Sequence, residues 1–221
     1  MTALLAPALF VILWLAHMWL VEASPWRHHS LSCRMEKERK NWITVMATRD
    51  MRIVDTNIIS GLQTGTGFFA STSLLAIGAA FTLLNSGDML ISLSGQLPFS
   101  IVTETISFEF RAIGMLLIYA YAFMKFGWSY RLFNYTSILM GAVPEKGQVS
   151  EAEMQQAIDR AANMSIMASR EFNRGQRAFF VAIAYLGWFF GDIVFMITTL
   201  IIYAMMVARQ FFSPARKCLV D

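Results

Sequence analysis

From Thr56 to Gly87 the chain carries no charged side chain. A run of that length has few destinations. In water it needs a large core beneath a polar shell, and a 221-residue chain that is 56% hydrophobic and 15% charged does not supply that shell. A bilayer accepts it directly, because about 20 apolar residues rising about 1.5 Å each cross the hydrocarbon layer. Three further segments share the property. Ala3 to Val21 is uncharged, and its apolar run is too long for a signal-peptide core, so a retained span is expected. Ala112 to Tyr130 is interrupted only by Lys125, and Ala178 to Ala208 only by Asp192. The expectation is an all-α integral membrane protein, one membrane domain over 1–221 with spans at 3–21, 58–84, 112–130 and 178–208. The last is too long for one upright span and too short for two. It is expected to tilt, kink or extend beyond the bilayer.

Composition removes several other classes. With 18 Phe, 6 Trp and 6 Tyr the chain is not disordered. Two cysteines, Cys33 and Cys218, make neither a disulfide scaffold nor a four-cysteine metal site. A formal charge of +3 leaves no electrostatic footprint for nucleic acid.

Loop charge sets the expected orientation. Residues 22–56 hold seven Lys or Arg and 134–177 hold five, whereas 85–110 hold none. The two basic loops are expected in the cytoplasm and the middle one outside, with Leu97-Pro98-Phe99 resting at the interface. Four full spans put both termini outside. Arg209, Arg216 and Lys217 oppose that reading, and a segment that dips in and returns around Gly187 and Gly191 would put the C-terminus in the cytoplasm.

The cytoplasmic loops look ordered. Ser150-Glu151-Ala152-Glu153 is a capping-box pattern. Met154, Ala157, Ile158, Ala161, Met164 and Ala168 then recur at helical spacing, with Gly175 as a stop. An amphipathic cytoplasmic helix of about twenty residues follows, packed on another cytoplasmic element. The mixed-sign run Arg34 to Lys40 reads as a solvated helix face. Trp42, Val45, Met46, Arg49 and Ile53 continue a helical pattern, so one long helix is expected to run on into the second span.

Arg52-Ile53-Val54-Asp55-Thr56, Phe68 to Gly78, Lys125 to Tyr135, Phe172 to Phe180, Tyr185-Leu186-Gly187-Trp188-Phe189 and Arg209-Gln210-Phe211 together resemble the bacterial proteins of domain-of-unknown-function family five-nine-nine. The likeness covers roughly three-quarters of the chain. It implies a small multi-span protein of the bacterial inner membrane, and it brings no activity, cofactor or site residue with it. Asp192 is not part of the pattern.

Chemistry is sparse. His17 alone lies inside a span, whereas a membrane haem usually takes two axial ligands. His28, His29 and Cys33 have no zinc spacing, and no phosphate loop is present. No cofactor, metal site or catalysis is expected.

Three groups of residues remain. Ser60, Thr64, Gly67, Ser71 and Gly78 form a small, hydroxyl-rich stripe on the second span, beside the Gly61 to Gly65 step. It suits close helix packing, or a pore wall completed by Gln63 and narrowed by Phe68 and Phe69 when several copies surround an axis. Lys125 and Asp192 are intramembrane charges. Lys125 is expected to snorkel, and Asp192 to pair, protonate, face water or sit at the outer end of a kinked segment. Arg52, Asp55, Arg174 and Arg177 are expected at one membrane face, with Asp55 paired to Arg174 or Arg177. They form an ion-pair collar or an anion and lipid-headgroup vestibule.

The functional expectation is a homo-oligomeric pore or carrier for small ions or solutes. Its alternative is a non-catalytic accessory subunit of a larger membrane complex. The expected partners are the lipid bilayer and either further copies of the chain or other membrane subunits.

Overall fold

The structure is a computed structural model describing residues 2–86 and 105–219. Leu97-Pro98-Phe99 lies outside the described residues. Among those described, the chain is helical throughout, without strands. α1 (Thr2–Glu22) carries the first uncharged run. A 3-10 turn, Pro25–His29, redirects the chain into α2 (Leu31–Met46), where the Ser30 hydroxyl accepts from the Cys33 amide and caps the helix start. α3 (Ile53–Asn85), α4 (Thr105–Gly141) and α5 (Glu151–Leu186) follow, with 33, 37 and 36 residues. Each is about 50 Å long, well beyond the hydrocarbon thickness. α6 (Asp192–Phe211) and the single turn α7 (Pro214–Lys217) complete the chain. By length and hydropathy α1, α3, α4 and α6 can each cross a membrane.

The long helices exceed a bilayer because they serve two cores. One is aromatic, built on Phe10, Phe108, Phe126, Tyr185 and Phe195 from α1, α4, α5 and α6. The other joins α2 to the feet of α3 and α4 and the first half of α5, through Ile43, Ile59, Phe133, Ile158 and Ala161. The amphipathic stripe expected on α5 supplies that second core. The Ser150–Glu153 capping box is formed, with Ser150 Oγ accepting from the Glu153 amide.

Several boundaries differ from the sequence reading, each for a local reason. Gly175 does not stop α5. It sits where an added Cβ would come within 2.7 Å of the Phe126 ring, so its role is close helix approach. The amphipathic helix therefore continues to Leu186 and contributes Ala178, Val181, Ala182, Ala184 and Tyr185 to the aromatic core. The 178–208 stretch is not one helix. It breaks at a 3-10 turn, Gly187–Phe190, followed by Gly191 at φ 118°, a backbone position that glycine alone adopts without strain. α2 and α3 are likewise separate, divided at residues 47–52. The third helix extends well past 112–130 at both ends.

The break at Gly191 decides where the chain finishes. The start of α1 lies with Tyr185 and Phe195, against which Phe10 packs. The end of α6 lies beside α2: Ser32 Oγ meets Gln210 Oε1 at 3.1 Å, Arg34 donates to the Leu219 carbonyl at 2.7 Å, and Arg216 to that of His29 at 2.7 Å. The two chain ends thus lie at opposite ends of the bundle, as a segment that turns back around Gly187 and Gly191 would place them. The late basic residues Arg209, Arg216 and Lys217 lie at this same end, beside α2.

Candidate functional site

A belt of paired charge separates the two cores. Glu22, the last residue of α1, takes Arg174 at 2.6 Å and also Arg177. Arg174 bonds Glu171 in turn, and Glu171 holds Lys125 of α4 at 2.7 Å. On the α2 side, Glu36 binds Arg170 at 2.6 Å and Arg27 at 3.2 Å. The hydrogen bond to Glu36 raises the Arg170 pKa above its ordinary value. The belt follows from α5, which presents Arg170, Arg174 and Arg177 on one side between Ala168 of one core and Ala178 of the other.

The expected pairings are redistributed. Asp55 does not meet Arg174 or Arg177. It is fully buried against α2, where Arg49 donates at 2.6 Å and the Trp42 indole at 2.7 Å. Two residues of α2 and its exit turn were closer in space than the α5 arginines, which Glu22 had already taken. Arg52 donates to the carbonyls of Val143 and Pro144 at 2.7 and 3.0 Å, satisfying acceptors at the end of α4. Lys125 is ion-paired where snorkelling was expected, and only partly exposed. Asp192, the first residue of α6 after the kink, accepts from the Trp188 indole at 3.1 Å and pairs with Arg111 at 3.8 Å.

The second-span stripe faces away from the bundle. Ser60, Thr64, Phe68, Ser71 and Gly78 are exposed, and Gly67 is half-buried with its Cα hydrogen toward Tyr130. The packed face is about one residue round: Ile59, Thr66, Ser73 and Ala80 recur every seven positions and are buried. The Thr66 and Ser73 hydroxyls donate to carbonyls four residues back, so their polarity is already satisfied. Gln63 is bonded to Asn134 at 2.7 Å, and Phe69 stacks on Phe126 inside the aromatic core. Neither is free to line a passage.

What the sequence reading missed is a cleft at belt height, enclosing about 360 Å³. Gly61 and Gly65 of α3 give it a wall without side chains, and no heavy atom comes within 4 Å of a Cβ added at either. Leu62, Phe133, Phe172, Phe180 and Met206 make it largely apolar. Its charged lining comprises Arg39, Arg177 and Arg209, with no carboxylate among the lining residues. Arg39 and Arg209 are positioned by aromatic rings, with guanidinium carbons 5.9 Å from Phe133 and 5.1 Å from Phe180. Burial pushes the Arg39 pKa below its ordinary value. His17 also lines the cleft. It is 5% exposed, and its Nε2 has no hydrogen-bond partner among the described residues. The GxxxG step and the three arginines were visible separately. Only the α5–α6 hairpin brings Arg209 and His17 to the same opening.

No group of three or more His, Cys, Asp or Glu side chains able to hold a metal occurs among the described residues.

Helices long and apolar enough to span, a belt of ion pairs and a cationic cleft beside it define a multi-pass helical membrane protein. Within that class the family described as protein of unknown function, DUF599, matches residues 5–215, and the chain belongs to it. No curated protein and no solved structure matches the chain.

Proposed function

We propose that the protein is a carrier or binder of small anionic solutes in the bacterial inner membrane, working through the cleft at the charge belt. The observation behind this reading is the cleft itself: about 360 Å³, within the usual size of small-ligand sites, and lined by Arg39 and Arg209, which have no acidic partner among the described residues, beside the Glu22-paired Arg177. Ionisable groups facing a cavity at membrane depth commonly mark solute paths. The basic end, with α2 and the end of α6, faces the cytoplasm by the loop-charge rule.

Proteoliposomes loaded in turn with chloride, phosphate and acetate test it. Saturable flux of at least one anion, abolished by Gly65→Leu and untouched by Thr64→Leu, supports the cleft. Flux that responds to Thr64→Leu or Phe68→Ala instead moves the path to the outer face of α3.

A second reading rests on that face. Ser60, Thr64, Phe68 and Ser71 are exposed, and small or hydroxylated residues suit close helix association. On this reading α3 docks on further copies around a pore, or on a larger membrane complex as an accessory subunit. Native mass spectrometry from gently extracted membranes distinguishes a closed ring of identical copies from association with different subunits.

A further inference from the structure

The cleft carries a more specific assignment than its size alone. Its charged groups are unusual in how they are held. Elsewhere in the belt each arginine meets a carboxylate, as Arg170 does at Glu36 and Arg174 at Glu22 and Glu171. Arg39 and Arg209 do not, and among the described residues neither has an acidic partner. Stacking on Phe133 and Phe180 fixes them in place without neutralising them. Arg39 is half-buried and stays charged, whereas Arg209 is exposed at the mouth; a charge held partly out of water without a counter-charge is costly, and that cost falls on Arg39. An anion entering the cleft would remove that cost. The unpartnered Nε2 of the nine-tenths-buried His17 adds a polar contact on the α1 side. The remaining lining is apolar, and the glycine wall of α3 leaves room for a chain to lie along it.

We propose that this cleft holds the anionic headgroup of a membrane amphiphile, phosphate or carboxylate in chemistry, with Arg39 and Arg209 as its charge partners and its apolar chain laid along Gly61 and Gly65. The assignment rests on the reading of the cleft as an anion site and names its ligand class. Guanidinium groups recognise both phosphate and carboxylate through paired N–H donors, so the headgroup sits between the two arginines while the tail replaces lipid contacts at α3.

The test uses the full-length protein in phosphatidylcholine nanodiscs with and without phosphatidic acid, and native mass spectrometry after release into detergent. The expected result is retention of one phosphatidic acid over phosphatidylcholine by about tenfold, lost when Arg39→Gln and Arg209→Gln are combined. Gly65→Leu, which keeps every charge and fills the cleft, is expected to lose the lipid as well, and it guards against a charge variant that merely misfolds. Equal retention of phosphatidylcholine, or retention unchanged in both variants, overturns the proposal. A thermal shift with inorganic phosphate as large as that with phosphatidic acid also overturns it, because the source is then a free anion without a tail. Lipid retention together with absent flux leaves this site standing and removes the carrier reading, so the two fail separately.

Discussion

Two glycines on neighbouring helices have opposite reasons to exist. At Gly175 a methyl group would meet the fully buried Phe126 ring at 2.7 Å. Gly175→Ala is expected to destabilise by about 1–3 kcal/mol, as overpacking does. At Gly61 there is open space, so Gly61→Ala is expected to be neutral or to stabilise by up to about 1 kcal/mol through helix propensity. Thermal unfolding of both variants in one detergent checks the pair, and the reverse order would contradict the packing. In the sequence both glycines looked like punctuation or packing steps. A glycine that stops a helix and one that admits a ring leave the same letter, and only the partner helix tells them apart. Glu22 was equally illegible. It closes an uncharged span, and nothing nearby in sequence shows that two arginines some 150 positions away converge on it.

At the scale of elements, the local signals were the reliable ones. The Ser150–Glu153 box is present because its two partners lie within one turn. The Ser150 hydroxyl and then its amide hold the exposed Glu153 carboxyl below its ordinary value of 4.5. A carboxylate depressed in the folded state stabilises above that ordinary value and loses its contribution as pH falls through the lower, folded one. The first turn of α5 is therefore expected to fray on acidification below about pH 4.5, earlier than the rest of the helix. Amide exchange at Ala152 to Met154 against pH reads this, and Glu153→Gln should flatten the response.

The α5–α6 corner is the opposite case, since its parts come from two regions of sequence. Asp192 accepts from Trp188, and Arg111 from α4 closes the corner by donating to the Trp188 carbonyl and stacking on its ring. Asp192→Ala is expected to cost about 1–2 kcal/mol, since the group is partly exposed and its closest charge is 3.8 Å away. A red-shifted Trp188 emission should accompany the loss. An unchanged melting temperature and spectrum would mean that Gly191 alone makes the turn.

For the whole molecule, the fold class and three of the span locations could be read from charge-free runs, because the bilayer imposes one simple rule on them. The placement of the two chain ends could not. The upper part of α5 is continuous with a charged helix, and only its packing beside α6 in the aromatic core shows where the chain turns back. Reporter fusions check the result: tags on the two chain ends are expected to report opposite sides of the membrane. Matching reports from both ends would contradict the α5–α6 hairpin.

The placement of the two chain ends at opposite ends of the bundle has a consequence for how such a chain can be multiplied. Two copies joined head to tail cannot both keep their basic ends on one side, because the first finishes where the second must not begin. A tandem fusion is forced either to invert its second half, giving an antiparallel pseudo-dimer about an axis in the membrane plane, or to recruit an additional linker span.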